Sequence, residues 1–393
     1  MSGAIAVGRW SAAREPRRRF IPALPTLWPG MLSPLGRARP PAFPMGAPRT
    51  TLYYFARNAV YHGARLLGLA GREVLVPAYH HGVEVGALVA AGAIPRFVRV
   101  DARMRLDLED AERRIGPRTR ALYVIHYAGF AQPMDEVNAL ARRRGLLVVE
   151  DCALSLLAAE GSRPLGSTGH LGIFCFYKAL PVPNGGALVV NDPAVCGAPA
   201  VPRSAPLAST LSHAAGSLLA NLAFRFGDAG EALRAGVRHA YALARGASGL
   251  GPVSTGTMTF DPARKDLGMS PLSALVARRL DAQEIVAARR RNYFLLLGRL
   301  RDRVPPVFGE VPAGASPLFY PLLCQDKAAM AARLLARGIE TVDFWREGHP
   351  LCRSDEFPES AALRRRVLEI PVHQDLAPED MASIAREVEE ALE

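Results

Sequence analysis

The chain has 393 residues, of which 49% are hydrophobic and 22% charged; this allows a substantial core and argues against collagen, coiled coil or wholesale disorder. The net charge of +11 is spread over arginine clusters at 17–19, 142–144, 289–291 and 364–366, which read as solvated helix faces; with no zinc-finger ligand pattern, RNP-type motif or basic zipper, no nucleic-acid partner is expected. Five cysteines (Cys152, Cys175, Cys196, Cys324 and Cys352) form no CxxC pair and are odd in number, which fits a reducing cytoplasm and neither a disulfide framework nor a bound metal.

Residues 1–48, rich in Pro, Arg and Gly, read as a tail or extended arm, partly disordered. Arg17-Arg18-Arg19-Phe20 superficially resembles a twin-arginine signal, but Pro22, Pro25, Pro29 and Pro34 interrupt the stretch after it. No run of about 18 uninterrupted apolar residues occurs, so no transmembrane segment is expected.

From Thr51 onward helical and strand periods alternate. Helical spacing is found over 54–69, 83–91, 108–115 and 134–144, and short apolar runs that read as strands over 73–77, 94–100, 121–126 and 146–151. This alternation predicts right-handed βαβ units and an α/β fold with a mostly parallel sheet, whose continuous Val/Leu strands are covered on both faces by helices. Ligands of such sheets sit at the carboxyl ends of the strands. His81, His126 and Asp151 follow or end three of the strands and are expected to meet in one crevice. A further strand over 173–176 precedes a loop with Lys178, and Asn184-Gly185-Gly186 turns the chain into another strand. Residues 197–262 are weakly patterned, with a helical stretch at about 211–245; 271–303 reads as one long helix and 317–393 as a small α/β domain.

Four features stand in order along the chain: a helix start near Ala56-Arg57-Asn58, His81 after one strand, Asp151 at the end of another, and Lys178 on a loop 27 residues later. Singly, each has an ordinary reading. The Asp caps a helix, the Lys is solvated, the His is a satisfied surface or core side chain, and Arg57 is a surface cation. Together they would supply an amine, a carboxylate, a flat ring and an anion site.

The ordered segments are more specific. Val149-Glu150-Asp151-Cys152-Ala153, Gly166-Ser167-Thr168-Gly169-His170, Phe174-Cys175-Phe176-Tyr177-Lys178 and Asn184-Gly185-Gly186-Ala187 are joined by Val76-Pro77-Ala78-Tyr79 upstream and by 368–376 (LEIPVHQDL) near the end. From about Tyr53 onward this pattern resembles the DegT/DnrJ/EryC1/StrS sugar aminotransferases. The resemblance implies a fold-type I transferase dependent on pyridoxal 5′-phosphate (PLP). Its architecture is a mostly parallel seven-stranded sheet flanked by helices, with a small α/β C-terminal domain. It divides the chain into the arm 1–48, a large PLP domain 49–262 with a divergent helical insertion at about 197–262, and a long helix with the small domain over 263–393.

By the same resemblance Lys178 holds the cofactor and shuttles the proton, Asp151 pairs with the ring nitrogen, and His81 takes the place of the stacking aromatic. Arg57 and Asn58 fall where the family binds phosphate, and Cys175 stands where a phosphate-binding Ser is usual. The implied activity is transfer of an amino group, from glutamate to a keto-sugar nucleotide, by a cytoplasmic homodimer. The departures are Leu154 in place of a Gln, a loop to the lysine shorter by two residues, and Asp266-Leu267-Gly268 in place of the Asn-x-Arg segment that reaches the partner subunit's phosphate. They leave two alternatives: a catalytically altered or silent relative acting as a binding or scaffold protein, and a PLP enzyme for a non-sugar substrate.

Overall fold

The computed structural model describes residues 20–33, 39–248, 257 and 259–392. β1 (Thr50–Tyr53) leads into α1 (Ala56–Leu66). Then come β2 (Glu73–Pro77), α2 (Val83–Ala90), β3 (Ile94–Val98), α3 (Leu108–Arg113), β4 (Thr119–Ile125), α4 (Met134–Arg144) and β5 (Leu147–Cys152). A small hairpin of β6 (Ala159–Glu160) and β7 (Arg163–Pro164) precedes β8 (Leu171–Cys175) and β9 (Gly186–Val190). Each element expected between residues 54 and 176 is present, with ends shifted by up to three residues.

Seven strands form one sheet in the order β1-β9-β8-β5-β4-β2-β3. The β3, β2, β4, β5 and β8 neighbours pair in parallel, and β9 is antiparallel to both β8 and β1. The reversal at β9 comes from chain length: residues 176–185 are too few for a helical crossover, which takes a dozen or more. β2, β8 and β9 are buried at every position, the pattern of strands covered on both faces.

The stretch expected to be helical at 211–245 is two helices, α5 (Leu207–Phe226) and α6 (Asp228–Ser248), packed on each other across Gly227 with φ 57°. The single helix expected over 271–303 is corrected to two, α7 (Pro271–Ala277) and α8 (Ala282–Leu300). The break comes from Asp281, whose carboxylate accepts the N–H groups of Gln283 (2.8 Å) and Glu284 (3.1 Å) and so starts a new helix. The remainder is β10 (Phe319–Leu323), α9 (Lys327–Ala336), α10 (Pro358–Arg366), β11 (Val367–Pro371) and α11 (Pro378–Leu392), with β10 and β11 paired antiparallel and α8, α9 and α11 packed nearby.

Residues 20–27 of the arm are packed against the rest of the chain. Ile21 bridges to Ile339, donating to Gly338 O (2.8 Å) and accepting from Glu340 N (2.9 Å), and Pro22, Pro25, Thr26 and Leu27 are buried. One apolar core runs from Val74 and Tyr123 in the large sheet to Ile370 in the small one.

Candidate active site

A cavity of ≈ 340 Å³ opens at the carboxyl ends of β2, β4, β5 and β8, where a parallel sheet places its ligands. Its wall includes Ile125, Asp151, Cys175 and Lys178 from strand ends and the loop after β8, His81 and Glu84 from the start of α2, and Phe55 and Arg57 from the start of α1. Leu24 of the arm and Val342, Asp343, Phe344 and Trp345 of the C-terminal part complete it.

Asp151 is buried, and its carboxylate accepts from Tyr123 Oη (2.6 Å) and Ala153 N (2.8 Å). Burial raises its pKa, against the pull of these two bonds and of Lys178. Lys178 follows β8 on a turn tied by Ala179 N to Phe176 O (3.0 Å), and its Nζ lies 4.7 Å from the Phe344 ring centroid. Burial lowers the pKa of His81 to about 3, helped by Lys178 and Arg57, so its ring is neutral. His81 Nδ1 is buried without a hydrogen-bond partner among the described residues.

Arg57 lies with its guanidinium 3.6 Å from the Phe55 ring centroid, and burial lowers its pKa. α1 starts without a side-chain cap, so its first-turn N–H groups and Arg57 make an anion-favouring end. Close packing brings this end to the cavity: a Cβ on Gly186 would lie 2.4 Å from Ala56 N. Cys175 is buried at the end of β8, and burial raises its thiol pKa.

Two expected residues lie elsewhere. Asn58 is absent from the cavity wall, and its Nδ2 donates to Arg264 O (2.9 Å) and Leu267 O (3.4 Å). His126 is corrected out of the crevice: its Nε2 lies 3.1 Å from Glu150 Oε2, and its Nδ1 accepts from Gln132 N at 3.0 Å. The reason is strand alternation, since Ile125 and Asp151 take one face of the sheet and their neighbours His126 and Glu150 the other. Asp266 is held within its own chain, 2.9 Å from Lys265 Nζ and 3.2 Å from His62 Nε2, and is not on the cavity wall. Sequence reasoning missed Tyr123, which the period of two places on the same face as Ile125, and also missed Leu24 and Glu84.

Residues 58–203 match the model of the DegT/DnrJ/EryC1/StrS aminotransferase family. By that match, this segment is similar to the family. It contains His81, Asp151, Cys175 and Lys178, four of the residues that meet in the cavity. A UDP-N-acetyl-3-dehydro-alpha-D-glucosamine 3-aminotransferase from Acidithiobacillus ferrooxidans is 36% identical over 124 residues, 31% of this chain and 34% of that protein. A dTDP-4-dehydro-2,3,6-trideoxy-D-glucose 4-aminotransferase from Saccharopolyspora spinosa is 25% identical over 82% of this chain and 79% of its own. The chain spans about a third of the length of three curated relatives it matches, at 34%, 38% and 30%. The sugar aminotransferase CalS13 from Micromonospora echinospora has the same fold, with a TM-score of 0.61 at 22% identity over 88% of both chains. Leu154, where DegT/DnrJ/EryC1/StrS proteins usually carry Gln, adds carbon to the cavity wall.

Proposed function

We propose that the protein is a PLP-dependent aminotransferase that moves an amino group from glutamate to a nucleotide-linked keto-sugar. The observation that carries this reading is the convergence of Lys178, Asp151 and His81 on one cavity at the strand ends. PLP, when bound, supplies an electron sink that makes the Cα proton of an attached amine acidic.

The residues present fit that group. Lys178 Nζ would hold the aldehyde carbon, and Asp151 would face the ring nitrogen with a carboxylate already fixed by Tyr123 and Ala153. The neutral His81 ring, with its orphaned Nδ1, would lie against the pyridine. Arg57 and the start of α1 would take the phosphate. Lys178 Nζ would be the base that takes the donor's Cα proton in the first half-reaction and, in the second, the acid that gives a proton to the acceptor carbon. Leu24, Phe344 and Trp345 exclude water around that nitrogen. The names of the relatives, one UDP-linked and one dTDP-linked, support a nucleotide-sugar acceptor. Asp266 is engaged inside its own chain, so it is not read as facing a phosphate. We further read the protein as a cytoplasmic homodimer, supported by the family resemblance and by exposed Leu275, Phe294 and Leu295 on α7 and α8. Sedimentation of the purified protein tests the dimer.

The decisive measurement is the absorbance of the protein with added PLP, before and after glutamate. A visible band that bleaches on adding glutamate is expected. Borohydride reduction followed by peptide mapping should place the pyridoxyl group on Lys178; labelling at another lysine would reject the assignment.

A further inference from the structure

Glu84 has no role in the chemistry described so far, yet it lines the same cavity. It stands at the second position of α2, just after the turn that carries His81. Its side chain is buried, and Oε1 accepts the His81 N–H at 2.8 Å. That turn is fastened from the other side too. His80 Nδ1 meets Pro77 O at 2.9 Å, and His349 N donates to His80 Nε2 at 2.9 Å. Gly82, with φ 103°, brings the turn so close to the C-terminal part that a Cβ would lie 3.1 Å from His349 N. The His81 ring itself has no such tie at Nδ1. Its aim therefore rests on its main chain, and Glu84 is the side chain that holds that main chain at the His81 N–H itself.

Building on the PLP reading, we propose that Glu84 is a positioning residue: its carboxyl oxygen, by accepting the His81 N–H, holds the His81 main chain so that the imidazole presents its flat face to the cofactor ring. What the His81 N–H needs from Glu84 is an acceptor oxygen. Burial raises the pKa of Glu84, and the field of Asp151 adds to it. The other groups facing it are Lys178 after β8, Arg364 of α10, Tyr123 of β4 and Tyr127 beyond β4. The two cations pull toward the charged form, and the two buried phenols add no charge.

Two substitutions separate acceptor from charge. Glu84→Gln keeps a carbonyl oxygen at nearly the same place and cannot ionise. Glu84→Met keeps the volume and the helix propensity and removes the acceptor. One readout needs no cofactor: hydrogen exchange at the His81 amide of the PLP-free protein. The second is the visible circular dichroism and the affinity of bound PLP, which report how the ring is held. Glu84→Gln should match the parent in both, with PLP affinity within about twofold. Glu84→Met should speed exchange at His81 about tenfold and weaken PLP about tenfold, the size of one lost hydrogen bond, with Lys178 still the labelled residue. A Met variant indistinguishable from the parent, or a Gln variant as damaged as Met, overturns the proposal. If Glu84→Met does not fold, Glu84→Ala takes its place in both readouts, with the same result expected and the same results overturning the proposal. Failure of the parent to bind PLP would sink the functional reading and leave the exchange measurement to judge Glu84.

Discussion

Asp151 and His81 share a cavity in which burial works on them in opposite directions, up for the acid and down to about 3 for the imidazole. The folded chain holds the Asp151 proton more tightly than the unfolded chain, where Asp titrates near ~3.9, so the PLP-free protein loses stability as pH rises through the folded value. Asp151→Asn removes that charge and keeps one acceptor oxygen, for Ala153 N, with the amide NH2 left to donate to Tyr123 Oη. It should stabilise the PLP-free protein by about 0.5–2 kcal/mol at neutral pH, read by urea unfolding, and slow the half-reaction with glutamate by orders of magnitude. For His81 the sign reverses. The unfolded chain takes up its proton first as pH falls below the usual 6.5, so stability drops between that value and about 3. His81→Phe removes this loss while keeping a flat ring. Urea midpoints at neutral pH and at about pH 5 should lie closer together than in the parent, with PLP binding retained; an unchanged gap would show that His81 is not the neutral group. At this scale the meeting of Lys178, Asp151, His81, Arg57 and Cys175 in one cavity was legible because strand ends and motif order mark them. Glu84 was not, because one acid in a helix's first turn reads as a dipole partner, and its burial depends on groups far away in sequence.

Element positions were readable wherever one period ran uninterrupted, as for β2 and α4, whose ends coincide with the expected ones. The break between α7 and α8 was missed because apolar periodicity continues across it, while the Asp281 cap that makes it is a local hydrogen-bond effect. The direction of β9 was likewise not stated by its apolar run; the short return from β8 sets it. That return also explains Gly186. Its backbone lies against Phe55 and Ala56, which lets the start of α1 reach the cavity. Gly186→Ala should cost about 1–3 kcal/mol as an overpacked contact, and should weaken PLP binding more than substitutions elsewhere on β9, because the α1 N-terminus must move. Equilibrium unfolding and PLP titration on one preparation test both parts. Lost stability with unchanged affinity would mean that α1 does not hold the phosphate.

Over the whole molecule, the arm joins parts that the sequence left unconnected. A Pro-rich stretch reads as free because proline lacks an N–H for regular structure, yet Ile21, Pro22, Thr26 and Leu27 each find a distant partner. Helix α5 explains part of this. Leu27 N donates to Ser217 Oγ (2.8 Å) and Asn221 Nδ2 to Thr26 Oγ1 (2.8 Å), both from α5, while Arg225 lies 4.2 Å over the Trp28 ring. From the C-terminal part, Asp375 accepts from Thr26 N (2.8 Å) and Thr26 Oγ1 (3.1 Å), and His373 Nε2 meets Pro22 O at 2.9 Å. Thr26 is thus the knot between the arm, α5 and the segment after β11, and Leu24, two residues before it, reaches the cavity. Thr26→Val keeps the shape, removes one donor to Asp375 and leaves the buried Asn221 Nδ2 without this acceptor. The cost should be about 1–3 kcal/mol, seen as a lower urea midpoint. PLP affinity should be nearly unchanged, since the groups assigned to the cofactor lie between Arg57 and Lys178 on elements the arm does not build. A fall of about tenfold, 1.4 kcal/mol, would show instead that the arm's hold on Leu24 reaches the cofactor.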